Sequence, residues 1–455
     1  MAERSFKKEV EHLRKGDGDV FTGEGILAIT KALLENGVGY VGGYQGAPIS
    51  HLMDVLSDAQ DLLGELDVRF ESNASEAAAA AMLAASVHYP IRGAVTFKGP
   101  VGVNVASDAL ANLSSSGVTG GALIIVGEDF GEGSSIMQER THPFAMKSQF
   151  WLLDPRPNLP SIVKAVGDGF ELSEASNTPV MLTVRIRACH VTGIFETSDN
   201  KRPPLSVREA LANPRKDFQR VVIPPWTYMH EKDKAEKRWP AAEKYIMEKK
   251  LNEVFGPDKA DIGIVCQGGM YNGVVRALQR IGLADIYGNT EVPIYCLNVT
   301  YPLVEKEFLK FCEGKPSVLV VEEGAPEFIE QTLTTMVYRS DSNVQLFGRK
   351  YLPSVGELTG QVMLDSIVAY LKDAAPGMLP GKARAPNTSD PDIPDLSKVV
   401  PVRPPSFCTG CPERPIFAGI KLAQNELGEH QISADIGCHL FASLPPFEIG
   451  GSTMG

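Results

Sequence analysis

The chain has 455 residues, 43% hydrophobic and 22% charged, which leaves length for about three folded domains and excludes a small disulfide-stapled scaffold. With 44 basic against 56 acidic side chains the net charge is -12, and no basic stripe is present, which excludes general coating of nucleic acid or anionic membrane. The charged start, Met1 to Lys15, lacks the apolar core of a signal peptide, and no run approaches the ~20 apolar residues of a membrane span, so a cytoplasmic protein is expected.

Helix and strand signals alternate from Phe21 to Val191, the pattern of a mostly parallel sheet with helices on both faces. A helix is predicted near Glu24 to Asn36, then a strand at Gly39 to Val41 that runs into the turn Gly42 to Pro48. An alanine-rich helix follows at Ser75 to Tyr89, then a strand at Gly93 to Phe97 and the glycine-rich Lys98 to Gly102. Ala122 to Val126 and Val180 to Arg187 read as buried strands, with a helix at Leu159 to Glu174 between them. Ligands of such sheets bind at the carboxyl ends of the strands.

Prolines and the charge run Glu231 to Arg238 predict a linker with one exposed helix over residues 196–256, closing a first domain at 1–195. The α/β rhythm returns in 257–345, with strands at Ile262 to Cys266, Val292 to Leu297 and Ser317 to Glu322. Its helices are predicted at Tyr271 to Gly282, Glu305 to Glu313 and Glu327 to Tyr338. A second linker is expected over 346–405, and residues 406–455 look like the incomplete opening of a third domain.

Cys408-Thr-Gly-Cys411-Pro and the later Cys438 give C-x2-C-x26-C, three of the four thiolates a metal centre needs. An iron-sulfur cluster and a zinc ion completed by His439 or His430 both fit this spacing, as do thiols that bind nothing. Cys189, Cys266, Cys296 and Cys312 lie in apolar runs, where packing explains them. Glu71 and Glu76 flank the start of the alanine-rich helix, where Ser72 or Ser75 suits a cap and an acid suits the helix dipole. The loops Tyr44 to Ser50 and Lys98 to Asn104 are glycine-proline turns that suit close backbone approach to a ligand. Gly16-Asp17-Gly18 matches the start of a thiamine and magnesium signature, but no second ligand follows, so a capping or solvated turn is expected. Gly127 to Gly131 lacks the spacing of a calcium loop.

Taken in order, Gly42 to Ser50, Glu71 to Glu76, Lys98 to Asp108, Phe170 to Glu174, Asn177 to Leu182, Val320-Val-Glu-Glu323, Cys408 to Pro412 and Asp435-Ile-Gly-Cys438 resemble the indolepyruvate ferredoxin oxidoreductase large-subunit family. That family lies within the thiamine-dependent 2-oxoacid:ferredoxin oxidoreductases. The resemblance covers nearly the whole chain. It implies a thiamine diphosphate-binding α/β fold: a pyrimidine-binding domain at 1–195, a transketolase C-terminal-like domain at 257–345, and the start of a diphosphate-binding domain at 406–455.

The implied reaction turns a 2-oxoacid, an arylpyruvate by preference, and coenzyme A into an acyl-CoA and CO2. Two electrons leave to ferredoxin or a similar carrier. The implied cofactors are thiamine diphosphate, Mg2+ and a [4Fe-4S] cluster on Cys408, Cys411 and Cys438. Glu76 matches the residue that shares a proton with N1' of the aminopyrimidine, while Gly46, Ala47, Pro48, Lys98, Gly99, Pro100, Asn104, Asp435 and Gly437 match cofactor contacts.

In two places the sequence departs from the family pattern. Gln45 and Ala47 stand where the family has a proline and a threonine, so that threonine's hydrogen bond is not expected. The chain also stops before the family's Gly-Asp-Gly segment and lacks its ferredoxin-type cysteine run. A further C-terminal portion or partner subunit is therefore expected, and because thiamine sites of this superfamily commonly lie between domains of different chains, the resemblance implies at least two copies of the chain. The competing readings are a non-oxidative thiamine decarboxylase or carboligase, and a non-catalytic scaffold subunit.

Overall fold

A computed structural model describes residues 5–130, 137–379, 400, 406–435, 438–449 and 451–454. The chain divides into a larger unit, Ser5–Glu132 with Met137–Arg384, and a smaller one that includes Ala385–Gly455. The architecture is α/β with parallel-rich sheets, as the alternating signals predict.

The larger unit holds two main sheets. The first has 7 strands, in the spatial order Val299–Tyr301, Trp151–Leu153, Val180–Arg185, Ala122–Glu128, Gly93–Lys98, Tyr40–Gly43 and Arg69–Ser72. All neighbours pair in parallel except the first two, which are antiparallel. The central strand Ala122–Glu128 is buried along its length because helices cover both faces. Leu123 and Ile125 pack into one core and Ile124 and Val126 into the other, the period-2 alternation of a strand between two layers.

The second sheet has 5 strands, ordered Gln345–Phe347, Ser317–Val321, Ile262–Gln267, Ile294–Leu297 and Glu253–Phe255. Only the last pairs antiparallel. After Leu297 the chain leaves this sheet, and Val299–Tyr301 becomes the edge strand of the first. One short stretch thereby stitches the two sheets together.

Several elements differ from the sequence expectation. The alanine-rich helix breaks at Leu83 into Glu76–Met82 and Ala84–His88. Val180–Arg185 ends two residues early and gives way to the short helix Ile186–His190. The span 196–256, expected as linker, carries Trp226–Asp233 and Trp239–Lys249, joined by a π turn. It is not free: Ala242, Ile246 and Leu251 are in the first sheet's core, and the buried Arg238 donates to the carbonyls of Ser114 and Ser115 at 3.0 and 3.3 Å. Those carbonyls end the helix Ser107–Ser116, whose unpaired acceptors attract a cation.

The span 346–405 is likewise not linker throughout. Gly360–Ala374 is a helix whose Met363, Leu364, Ile367, Tyr370 and Leu371 are buried in the second sheet's core, at the i, i+3 and i+4 spacing of an amphipathic face. Gly16-Asp17-Gly18 forms a turn, exposed at Asp17 and Gly18, in which the Asp17 N–H donates to Asp199.

The smaller unit contains the helix Arg414–Leu427, the parallel pair Ile432–Asp435 and Gly451–Met454, and an aromatic cluster in which Phe407 meets Phe417, Phe441 and Phe447. No helix among the described residues is long and apolar enough to cross a membrane.

Candidate active site

The site residues expected in the first domain follow the carboxyl ends of three adjacent strands, Gly93–Lys98, Tyr40–Gly43 and the edge strand Arg69–Ser72. Ser75 caps the helix Glu76–Met82, its hydroxyl accepting from the Ala78 N–H at 3.3 Å. The next residue, Glu76, is 6% exposed. Gly102 lies against it: a Cβ there would stand 3.0 Å from Glu76 Cγ and 2.7 Å from Phe97 Cδ2, so only glycine leaves this carboxylate its room. Glu71 is different. Arg69 Nε donates to it at 2.7 Å on the surface, which accounts for it as a strand-end ion pair.

The loop after Tyr40–Gly43 folds over the end of the neighbouring strand. A Cβ on Gly46 would come 2.6 Å from Lys98 Cβ, so Gly46 and Lys98 are in direct contact; Pro48 beside them is buried and Ala47 exposed. Lys98 Nζ reaches both carboxylate oxygens of Asp129 at 3.3 Å. Gly99 starts the helix Gly99–Val105 with Pro100 in its first turn, and a Cβ on Gly99 would meet Thr141 Oγ1 at 2.7 Å and Glu128 Cγ at 3.1 Å. Asn104 is exposed and donates to Pro100 O at 2.9 Å and Glu139 Oε2 at 2.8 Å.

Polar atoms left over in this region fit a bound polar group. Thr96 Oγ1 and Thr141 Oγ1 are buried and have no hydrogen-bond partner among the described residues. Buried polar atoms without partners are uncommon, and a bound polar group would satisfy both hydroxyls. Glu128 accepts from the Thr141 N–H at 2.6 Å, and burial raises its pKa above the usual carboxylate range.

Sequence reasoning missed a second set of charges behind these strand ends. Arg185 Nη2 donates to Asp154 Oδ2 at 2.8 Å and Arg185 Nη1 to Glu323 Oε2, with all three side chains buried. Burial works against the guanidinium charge, and the two carboxylates more than restore it. Arg140 Nη1 donates to Glu322 Oε1 at 2.7 Å, and Glu322 in turn accepts from the N–H groups of Ile329 and Glu330 that open the helix Phe328–Arg339. The pair Glu322-Glu323 thus clamps the second sheet's strand end onto the first sheet. Its signal was in the sequence, two adjacent acids closing an apolar strand.

The chain is 31% identical to indolepyruvate oxidoreductase subunit IorA of Methanothermobacter thermautotrophicus, over 97% of its own length and 67% of that protein. It belongs to the IorA family. The IorA subunit of Methanothermobacter marburgensis is 28% identical over 96% of this chain and 66% of its own, and that of Pyrococcus abyssi 26% identical over 94% and 63%. The chain therefore spans about two thirds of the length of these curated relatives. Residues 252–369 match the model described as the indolepyruvate oxidoreductase domain. Among solved structures, the 2-oxoglutarate:ferredoxin oxidoreductase of Magnetococcus marinus, bound to 2-oxoglutarate, coenzyme A and succinyl-CoA, aligns with a TM-score of 0.59 at 16% identity, over 77% of this chain and 65% of that one. That likeness is one of fold. The family expected from the sequence is borne out, and the IorA family is one of oxidoreductases.

The expected metal ligands lie in the smaller unit. Cys408 and Cys411 share one turn, the Cys411 N–H donating to Cys408 O at 3.1 Å, with Cys408 exposed and Cys411 half-buried. Cys438 begins the 3-10 helix Cys438–Ser443, and the side chains of Cys438 and Asp435, like the whole of Gly437, lie outside the described residues. Among the described residues no three His, Cys, Asp or Glu side chains converge as a metal site. His439 Nε2 is buried without a partner among them. Cys189, Cys266, Cys296 and Cys312 are buried, as apolar packing requires.

Proposed function

We propose that the chain is the pyrimidine-holding part of a 2-oxoacid:ferredoxin oxidoreductase acting on an arylpyruvate such as indolepyruvate. The products are an acyl-CoA and CO2, with two electrons passing to ferredoxin or a similar carrier. The observation that carries the reading is the buried Glu76 at a capped helix start, facing Gly102 and set beside the loops Gly46–Pro48 and Lys98–Pro100.

When bound, thiamine diphosphate supplies the electron sink that decarboxylation beside a carbonyl needs. Glu76 holds a proton shared with N1' of the aminopyrimidine, a task that burial suits because it keeps water from competing for the carboxyl. Gly46, Ala47 and Pro48 give the ring a backbone wall, and Thr96 and Thr141 offer unspent hydroxyls. Lys98, Gly99, Pro100 and Asn104 form the adjoining wall, Lys98 held there by Asp129. Asp435 and Gly437 would serve the diphosphate and its Mg2+, and Cys408, Cys411 and Cys438 would hold a [4Fe-4S] cluster, which would supply single-electron chemistry.

On this reading residues 1–195 are the pyrimidine domain, 257–345 with the helix Gly360–Ala374 the transketolase C-terminal-like domain, and 406–455 the start of the diphosphate domain. The active assembly contains at least two copies of the chain and a partner subunit. The test is anaerobic reduction of a viologen dye by the assembly with indolepyruvate and coenzyme A. Reduction that needs thiamine diphosphate supports the proposal, and no reduction with any 2-oxoacid defeats it.

A further inference from the structure

A cavity of about 170 Å3 opens between the two sheets at the carboxyl ends of the Ala122–Glu128 and Val180–Arg185 strands. Phe130, Ile186, Met270 and Leu358 give it an apolar lining, and Arg187 and Glu357 stand on its wall. Apolar cavities of about 150 Å3 accommodate benzene, so one aromatic ring fits here. The cavity also adjoins the candidate active site, because its wall residues Glu128 and Asp129 touch Gly99 and Lys98 respectively.

The charges on the wall sort into spent and available groups. Arg185 is taken up by Asp154 and Glu323, and Asp129 by Lys98. Glu128 is buried and pushed toward its neutral form. Arg187 alone among the wall's cations is largely exposed, at 64% of its side chain, and its partner is the partly exposed Glu357. Surface pairs of this kind contribute about 0–1 kcal/mol, so a ligand carboxylate can take over the guanidinium at little cost. Arginine then offers a planar two-pronged donor that matches a carboxylate.

We infer that this cavity binds the aromatic side chain of an organic anion whose carboxylate is anchored by Arg187. Identification of that anion as the 2-oxoacid substrate rests on the functional reading above. Ile186, 40% exposed, stands beside Arg187 in sequence and controls the space available to the ring.

The test is isothermal titration of the chain, assembled with its partner subunit, using phenylacetate and indole-3-acetate against acetate, none of which can be decarboxylated as a 2-oxoacid. Both arylacetates are expected to bind at least tenfold more tightly than acetate. Ile186→Trp, which fills the cavity, and Arg187→Met, which removes the anchor, should each weaken arylacetates at least tenfold with thiamine diphosphate affinity unchanged. Absence of arylacetate binding, equal affinity in both variants and the unaltered protein, or parallel loss of thiamine diphosphate overturns the inference. If arylacetates bind and the variants abolish binding while no 2-oxoacid is turned over, the pocket stands and the enzymatic reading fails. If turnover proceeds and neither variant changes KM for phenylpyruvate, the pocket fails and the enzymatic reading stands.

Discussion

Gly102 is the steric counterpart of Glu76: the Cβ it lacks would sit 3.0 Å from the glutamate Cγ. The two residues lie on different helices, and the missing Cβ lets those helices pack closely around the buried Glu76 side chain. Gly102→Ala is expected to crowd Glu76 and Phe97 at an overpacking cost of about 1–3 kcal/mol. Thiamine diphosphate affinity of the assembled protein should fall by roughly tenfold or more, the binding equivalent of ~1.4 kcal/mol. Unchanged affinity, measured by titration, would show that Gly102 does not shape the site.

Arg185 compensates two buried carboxylates, Asp154 and Glu323. Arg185→Met leaves both without their cation, a change that costs about 3–5 kcal/mol in a buried pair. Urea unfolding of the variant should register a loss of that order. Adding Glu323→Gln to Arg185→Met should recover part of it, since a neutral amide needs no counter-charge. A single variant as stable as the parent contradicts the role.

His142 gives the chain an acid-side liability. Burial, with the Arg140 charge behind it, lowers its pKa to about 3, and its ring stacks on Phe328. In the unfolded chain the imidazole takes a proton near pH 6.5, whereas the folded chain refuses one until about pH 3. The contribution is therefore fully present above pH 6.5 and is lost as pH falls from there toward 3, at up to about 1.4 kcal/mol per pH unit. His142→Phe, which keeps the ring, should remove this slope. Between pH 6.5 and 5 the parent should lose about 2 kcal/mol more than the variant in urea titrations. Equal losses would rule out His142 as the source.

Cys411→Ser tests the electron-transfer part of the proposal separately from cofactor binding. The variant assembly, purified without oxygen, should lose the paramagnetic signal of a reduced iron-sulfur cluster and retain thiamine diphosphate affinity. Stoichiometric zinc without iron in the unaltered assembly would remove the electron-transfer role.

The first domain was legible because its central strands are unbroken apolar runs. Ala122 to Val126 can satisfy the burial of both faces only between two helical layers. Glu76 was legible as a helix-start acid, but its burial was not, since that depends on Gly102 and Phe97 arriving from another strand-helix turn. Val299–Tyr301 is too short to carry a periodic signal, and its pairing with Trp151–Leu153 is decided by tertiary packing. The helix Gly360–Ala374 did carry its signal in the spacing of Met363, Ile367 and Tyr370, which the proline-rich neighbourhood outweighed. The ion pairs Arg140–Glu322 and Arg185–Glu323 join residues 182 and 138 positions apart, and nothing in either local sequence specifies its partner.

The role of Glu76 is measured most directly by comparing Glu76→Gln with the unaltered chain in the complete assembly, following anaerobic dye reduction by indolepyruvate and coenzyme A. Glutamine preserves shape and burial but cannot share the proton that the carboxyl holds. Turnover should fall by about 10²-fold or more, the usual range for losing a positioned acid-base group, with the fold and the melting temperature retained. Near-parental turnover in Glu76→Gln would contradict that role.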